Sequence, residues 1–303
     1  MNNQTQTQTS TVKPPVHQTK SDFKRSIAKS AEGYPLLGYY IYWSLSSMEV
    51  RYADFVRVLG EIGLPTDIAS KPRVKTAANR MVNEEVARRE KCKKVSKETN
   101  DMTIWSIVSH NFDANNDAHA LQETKILFFK ETETLRVEGY GAAEIMSRFQ
   151  EIQGSYNQDD FRVVVKQFIT QYANCLTVRD SGGVYFIPAT KQDELDKLQE
   201  LFERYNFTLD VIPIIDTQKA KASTWKALVG DVQSSIQELT EDLNNFNPTT
   251  KRAERSMDDR VKKYKELRER VEAYEVLLNG TAEDLKAKID GLSKQLQSKL
   301  IES

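Results

Sequence analysis

Cysteine and histidine are scarce: the 303-residue chain holds two of the first and three of the second. Cys92 and Cys175 are far apart and lack the paired spacing of a zinc site or a disulfide framework. A reducing, intracellular setting is the plain expectation. One histidine, His17, falls in a polar stretch, which leaves few imidazoles for acid–base chemistry. No apolar run reaches the ~18–20 residues of a membrane span. The longest candidate, Tyr34 to Met48, is interrupted by Pro35, Gly38 and several serines. No basic-then-apolar signal pattern opens the chain, so the expected location is the cytoplasm, with no membrane partner. Charge of one sign is also missing: 43 Lys and Arg meet 44 Asp and Glu. Any affinity for a polyanion must therefore rest on local charge. The nucleophile-elbow, phosphate-loop, dinucleotide and zinc-protease patterns are all absent. This reads as a chain that is not an enzyme and needs neither cofactor nor metal. A hydrolase or nuclease built on an unrecognised carboxylate site is the alternative.

What is present is charge and amphipathic periodicity: 29% of residues are charged and 39% hydrophobic. Residues 1–20 carry almost no apolar side chain and read as a disordered tail. The stretch SDFKRSIAKSAEGY then suggests a short helix. Gly38–Ser46 reads as a strand through its Tyr, Ile and Trp. Tyr52, Phe55, Val56, Leu59 and Ile62 recur at helical spacing until Gly63 and Pro65 stop them. A linker leads to a second helix with Ser70 as cap and Pro72 in its first turn. Residues 102–138 read as strands. They are followed by helices at 142–153 and 157–174, a hairpin at Cys175–Pro188, a helix over 190–205, and a last strand confined to an edge or a bulge by Pro213. The expected class is thus α+β: a mixed globular region with helix-turn-helix-like and helix-hairpin elements, then an α-helical coiled-coil hairpin or bundle. The expected division is a tail over 1–20, an α+β domain with a basic helix pair over 21–140, a helix-hairpin-helix-strand subdomain over 141–216, and coiled-coil helices over 217–303.

The helix pair 48–94 has the outline of a helix-turn-helix, in which the start of the second helix enters the major groove. Here that start offers Lys71, Arg73, Lys75, Asn79 and Arg80. Residues 71–98 hold ten Lys or Arg against four Glu, a local surplus of six positive charges. Basic side chains can neutralise phosphates, while Asn and Arg can read base edges. The alternative is a solvated helix packed by Val74, Ala78, Met81 and Val82. The hairpin RDSGGVYFIPAT could be a wing with Arg179 at a phosphate backbone. The blander reading, which the surrounding aspartates favour, is a core hairpin whose Gly182 and Gly183 supply the turn. Asp113, Asn115 and Asp117 alternate as calcium ligands do, but Ala118 and Thr124 stand where Gly and Glu are needed, which favours a polar loop.

From Thr217 a strict heptad seam runs through Trp225, Val229, Val232, Ile236, Leu239, Leu243 and Phe246. Two further amphipathic helices follow, broken at Pro248 and Gly280. The seam predicts self-association or a helical protein partner; equally, it can close within one chain.

RDSGGVYFIP, the Leu-patterned helix after it and the charged helical tail resemble an uncharacterised family found in phages and mobile elements, over residues 140–300. The resemblance implies no reaction and no site residue, only a protein that works on or near nucleic acid. The functional expectation is a non-enzymatic, DNA-binding or otherwise nucleic-acid-associated protein with a coiled-coil association region. The alternative is a scaffold that binds a protein through 217–303 and never touches nucleic acid.

Overall fold

The segment LLGYYIYWS alternates so that both of its faces are apolar, and such a strand belongs in the middle of a sheet covered on both sides. In the computed structural model it is β1 (Leu36–Ser44). The structure describes residues 35–88, 92–112, 118–178, 183–246, 253–280 and 282–302. The expected tail and first helix, the Asp113–Asp117 loop, Arg179 and the break at Pro248 lie outside these residues.

β1 is an inner strand of a four-stranded antiparallel sheet in the order β10-β1-β9-β8, with β8 at Leu176–Thr177, β9 at Tyr185–Pro188 and β10 at Thr208–Ile215. One face presents Tyr39, Ile41 and Trp43 beside Tyr185 and Ile187. It packs on α1 (Tyr52–Glu61), α4 (Gln158–Gln171) and α5 (Gln192–Arg204). Trp43 stacks on Tyr185 with ring centres 4.9 Å apart. A register shift between Leu36 and Gly38 turns Leu37 to the opposite face, where it joins Tyr40, Leu176, Phe186 and Ile214. Gly38 is obligatory there, because a Cβ would lie 2.3 Å from the Ile187 carbonyl oxygen.

That second face is covered by α6 (Gln218–Asn244), α7 (Ala253–Leu278) and α8 (Glu283–Glu302). Asp231 meets Arg270 and the Asp242 carbonyl meets Arg260, so α6 and α7 run antiparallel. Arg268 meets Asp290 and Glu275 meets Lys286, which sets α7 against α8 in the same sense. The seven seam residues all belong to this core: Val232, Leu239 and Leu243 are buried, while Trp225, Val229, Ile236 and Phe246 are half-buried. Of the two readings of the seam, association with a partner or closure within the chain, the fold packs all seven residues into an intrachain core.

The remaining unit is a meander of β3 (Cys92–Glu98), β4 (Met102–Phe112), β5 (Ala118–Phe129) and β6 (Thr134–Gly139), paired in chain order. Trp105, Ile107, Ile126 and Phe128 face α2 (Val74–Arg88) and α3 (Ala142–Gln153). Ala77 and Ala78 let α2 approach closely, and Ile145, Phe149 and Ile152 complete this third core. A two-stranded ribbon of β2 (Glu49–Arg51) and β7 (Ser155–Asn157) pairs the strand just before α1 with the point where the chain returns from this unit.

Three expectations change. The helix pair is not a packed helix-turn-helix: Phe55 and Leu59 of α1 enter the first core, whereas Ala77, Ala78, Met81 and Val82 of α2 enter the third. The second helix starts at Val74 and ends at Arg88, and residues 92–98 form an edge strand rather than more helix. The boundary also moves, since α3 belongs with the meander and not with residues 154–216. The strands of the hairpin are core strands, while its Arg179–Gly182 turn lies outside the described residues. All four residues of β9 are buried in mid-sheet, and Pro213 falls on the edge strand β10.

Candidate functional site

Pro72, just before α2, is buried, while Lys71 and Arg73 on either side of it are exposed. The Arg73 carbonyl accepts the Ala77 amide at 2.9 Å, so the helix begins here. Among the described residues neither Lys71 nor Arg73 has an ion-pair or hydrogen-bond partner for its side chain. Lys75, Thr76 and Asn79 follow on the same side of the first two turns. With Arg73, Val74, Phe128, Lys130 and Glu133 they line a cleft of about 390 Å³.

Lys130 comes from the turn between β5 and β6. Its Nζ donates to the Thr99 carbonyl oxygen at 2.6 Å and lies 3.1 Å from Glu98 Oε1. Lys75 Nζ is 3.0 Å from that same oxygen. Hydrogen bonds from the two lysines hold the Glu98 carboxyl below its ordinary range. No sequence pattern marks Lys130 or Glu98. Antiparallel pairing of β4 with β3 and β5 places the two ends beside α2.

The structure thus brings Arg73, Lys75 and Asn79 to one cleft with Lys71 beside it, and takes Arg80 away. Arg80 Nη1 and Nη2 each donate to a carboxylate oxygen of Asp160 at 2.6 Å. Asp160 also accepts the Asn157 amide, closing the capping box of α4. Arg80 is a joint between the meander unit and α4 and is not available to a ligand. Arg88 is likewise engaged, with Glu85 and Glu144. On β3, Lys94 reaches Asn83, while Lys97 is exposed.

A larger groove of about 1410 Å³ runs between the end of α4, β8, α6 and α7. Within it Arg270 pairs with Asp231 at 2.9 Å; one turn on along α7, the buried Tyr274 hydroxyl donates to the Asn174 carbonyl. Burial pushes the nearby Cys175 thiol up to about 12, so it stays protonated and is a poor nucleophile. Lysines and carboxylates alternate along the rim. Among the described residues no group of three His, Cys, Asp or Glu is placed to hold a metal, and no helix is long and apolar enough to cross a membrane.

Residues 36–303 match the family described as "Family of unknown function (DUF6744)". No curated protein and no solved structure matches the chain.

Proposed function

The chain belongs to DUF6744, a family of unknown function, and we propose that it binds the phosphate backbone of nucleic acid, without catalysis, at the start of α2. The observation that carries this reading is the pair of exposed cations Lys71 and Arg73, without side-chain partners among the described residues, with Arg73 in the cleft that holds Lys75 and Lys130. Among the described residues of this unit, Arg80, Arg88 and Arg148 are spent on carboxylates. Asn79 supplies a neutral donor within the cleft. The first-turn amides of α2 have no intrahelical acceptor and add a partial positive charge. The setting we propose is the cytoplasm.

The test is fluorescence anisotropy of a labelled random duplex at several salt concentrations. Four phosphate contacts predict a log–log salt slope of about −3.6. Lys71→Glu combined with Arg73→Glu removes two of them, which flattens the slope to about −1.8 and weakens binding at least about tenfold. Flat anisotropy at every salt concentration, with the protein folded, would end this reading. The scaffold account would then lead, and because the heptad seam is already filled it would have to use another surface, such as the groove beside α6.

A further inference from the structure

We propose that Glu98 is a built-in competitor for the cleft: its carboxylate occupies the place between Lys75 and Lys130 that a ligand phosphate takes, and binding displaces it. Both lysines converge on one oxygen, Oε1, at 3.0 and 3.1 Å, and the Thr103 hydroxyl reaches the same atom at 3.5 Å. Three donors on a single carboxylate oxygen is crowded. A phosphate offers each ammonium an oxygen of its own.

The carboxylate is also free to leave. The Glu98 side chain is 58% exposed and stands at the end of an edge strand. The two lysines stay when it goes. Lys130 is tethered independently to the Thr99 carbonyl, and Thr99 is fixed by reciprocal hydrogen bonds with Met102. Lys75 rides on the first turn of a packed helix. Displacement therefore changes the charge of the site and leaves its shape. With Glu98 in place, the pair of lysines presents one net positive charge. With Glu98 away, it presents two, in a cleft whose described lining also holds Arg73 and Glu133.

The identity of the ligand rests on the nucleic-acid reading; the competition does not, and the two are tested by separate probes. Inorganic pyrophosphate is titrated into the full chain and followed through the backbone amide resonances of Lys75, Thr76 and Lys130. The wild type is compared with Glu98→Gln and with Glu131→Gln, a charge-matched change on the neighbouring exposed turn. Glu98→Gln is expected to tighten pyrophosphate binding about three- to tenfold, with Glu131→Gln within about twofold of wild type. No binding at these amides, an unchanged or weaker affinity in Glu98→Gln, or an equal gain in both variants overturns the proposal. The labelled duplex is then titrated into the same proteins and decides the nucleic-acid reading alone. Pyrophosphate gain without duplex binding leaves the competitor and removes the nucleic acid. Duplex binding without pyrophosphate gain does the reverse.

Discussion

The Asp160 carboxylate serves two partners, the Asn157 amide at the start of α4 and the guanidinium of Arg80 on α2. Both side chains are less than one-fifth exposed, so this pair is stronger than a surface ion pair without carrying the cost of a fully buried one. Arg80→Ala is expected to destabilise the protein by about 2 kcal/mol, measured by urea unfolding. Duplex affinity under folding conditions should change less than about twofold, against the tenfold loss for the Lys71 and Arg73 pair. A loss in Arg80→Ala as large as in that pair would put Arg80 back among the contacts. In the sequence Arg80 was indistinguishable from its basic neighbours. Its partner lies 80 residues downstream, and no local pattern encodes that pairing.

Cys175 gives a second test at the same scale. Its thiol is raised from 9.0 to about 12, chiefly by burial. The folded state holds this proton more tightly than the unfolded one. The stabilisation is therefore fully present below about pH 9 and is lost as pH rises from there through about 12. In a Cys92→Ser background, which leaves one thiol, a thiol-labelling reagent at pH 8 should react only after denaturant unfolds the chain. Native labelling at the unfolded rate would mean the thiol is not enclosed.

Among the elements, α6 was the most legible and its partner the least. A seam with alternating steps of four and three is needed to lay one helix along another, whichever chain supplies the second helix. The sequence therefore contained the helix, its length and its apolar stripe, but not the sheet face with Leu37, Leu176 and Phe186 beneath it. Leu228, fully buried and outside the heptad seam, touches this same core. Leu228→Ala should cost about 3 kcal/mol in urea unfolding. Truncation at Asp216 would uncover one whole side of the central sheet, so the remaining fragment should bind a hydrophobic dye and aggregate. A soluble, cooperatively folded fragment would show instead that the three helices are an appendage. β3 was missed for the opposite reason. KCKKVSKE has no apolar alternation of its own; its strand conformation comes from pairing with β4, and its lysines suit an unpaired edge.

For the whole molecule, the division of the chain follows its cores, and cores are non-local. The apolar stripe of α3 was plain in the sequence, but a stripe does not say which sheet it meets, so a boundary at residue 140 looked as natural as one at 154. In the fold, the chain leaves the first core after Ala69 and returns at Tyr156, and those two points touch: the Tyr156 hydroxyl donates to the Ser70 carbonyl at 2.6 Å. The meander with α2 and α3 is thus an insertion whose ends are already together, the condition under which an inserted unit folds with little loop-closure cost. The excised fragment 71–154 should fold cooperatively by circular dichroism, because its core of Trp105, Ile107, Ile126, Phe128 and Met81 is closed by its own helices. It should be less stable than in the intact chain, since excision removes Asp160 from Arg80. The host, with residues 72–153 replaced by a short Gly/Ser linker, should keep the protection of β1 and β9 against hydrogen exchange. It should also lose duplex affinity, which the fragment alone should retain. A fragment that folds but does not bind, beside a host that does, would move the nucleic-acid site off α2 and onto the central sheet and its helices.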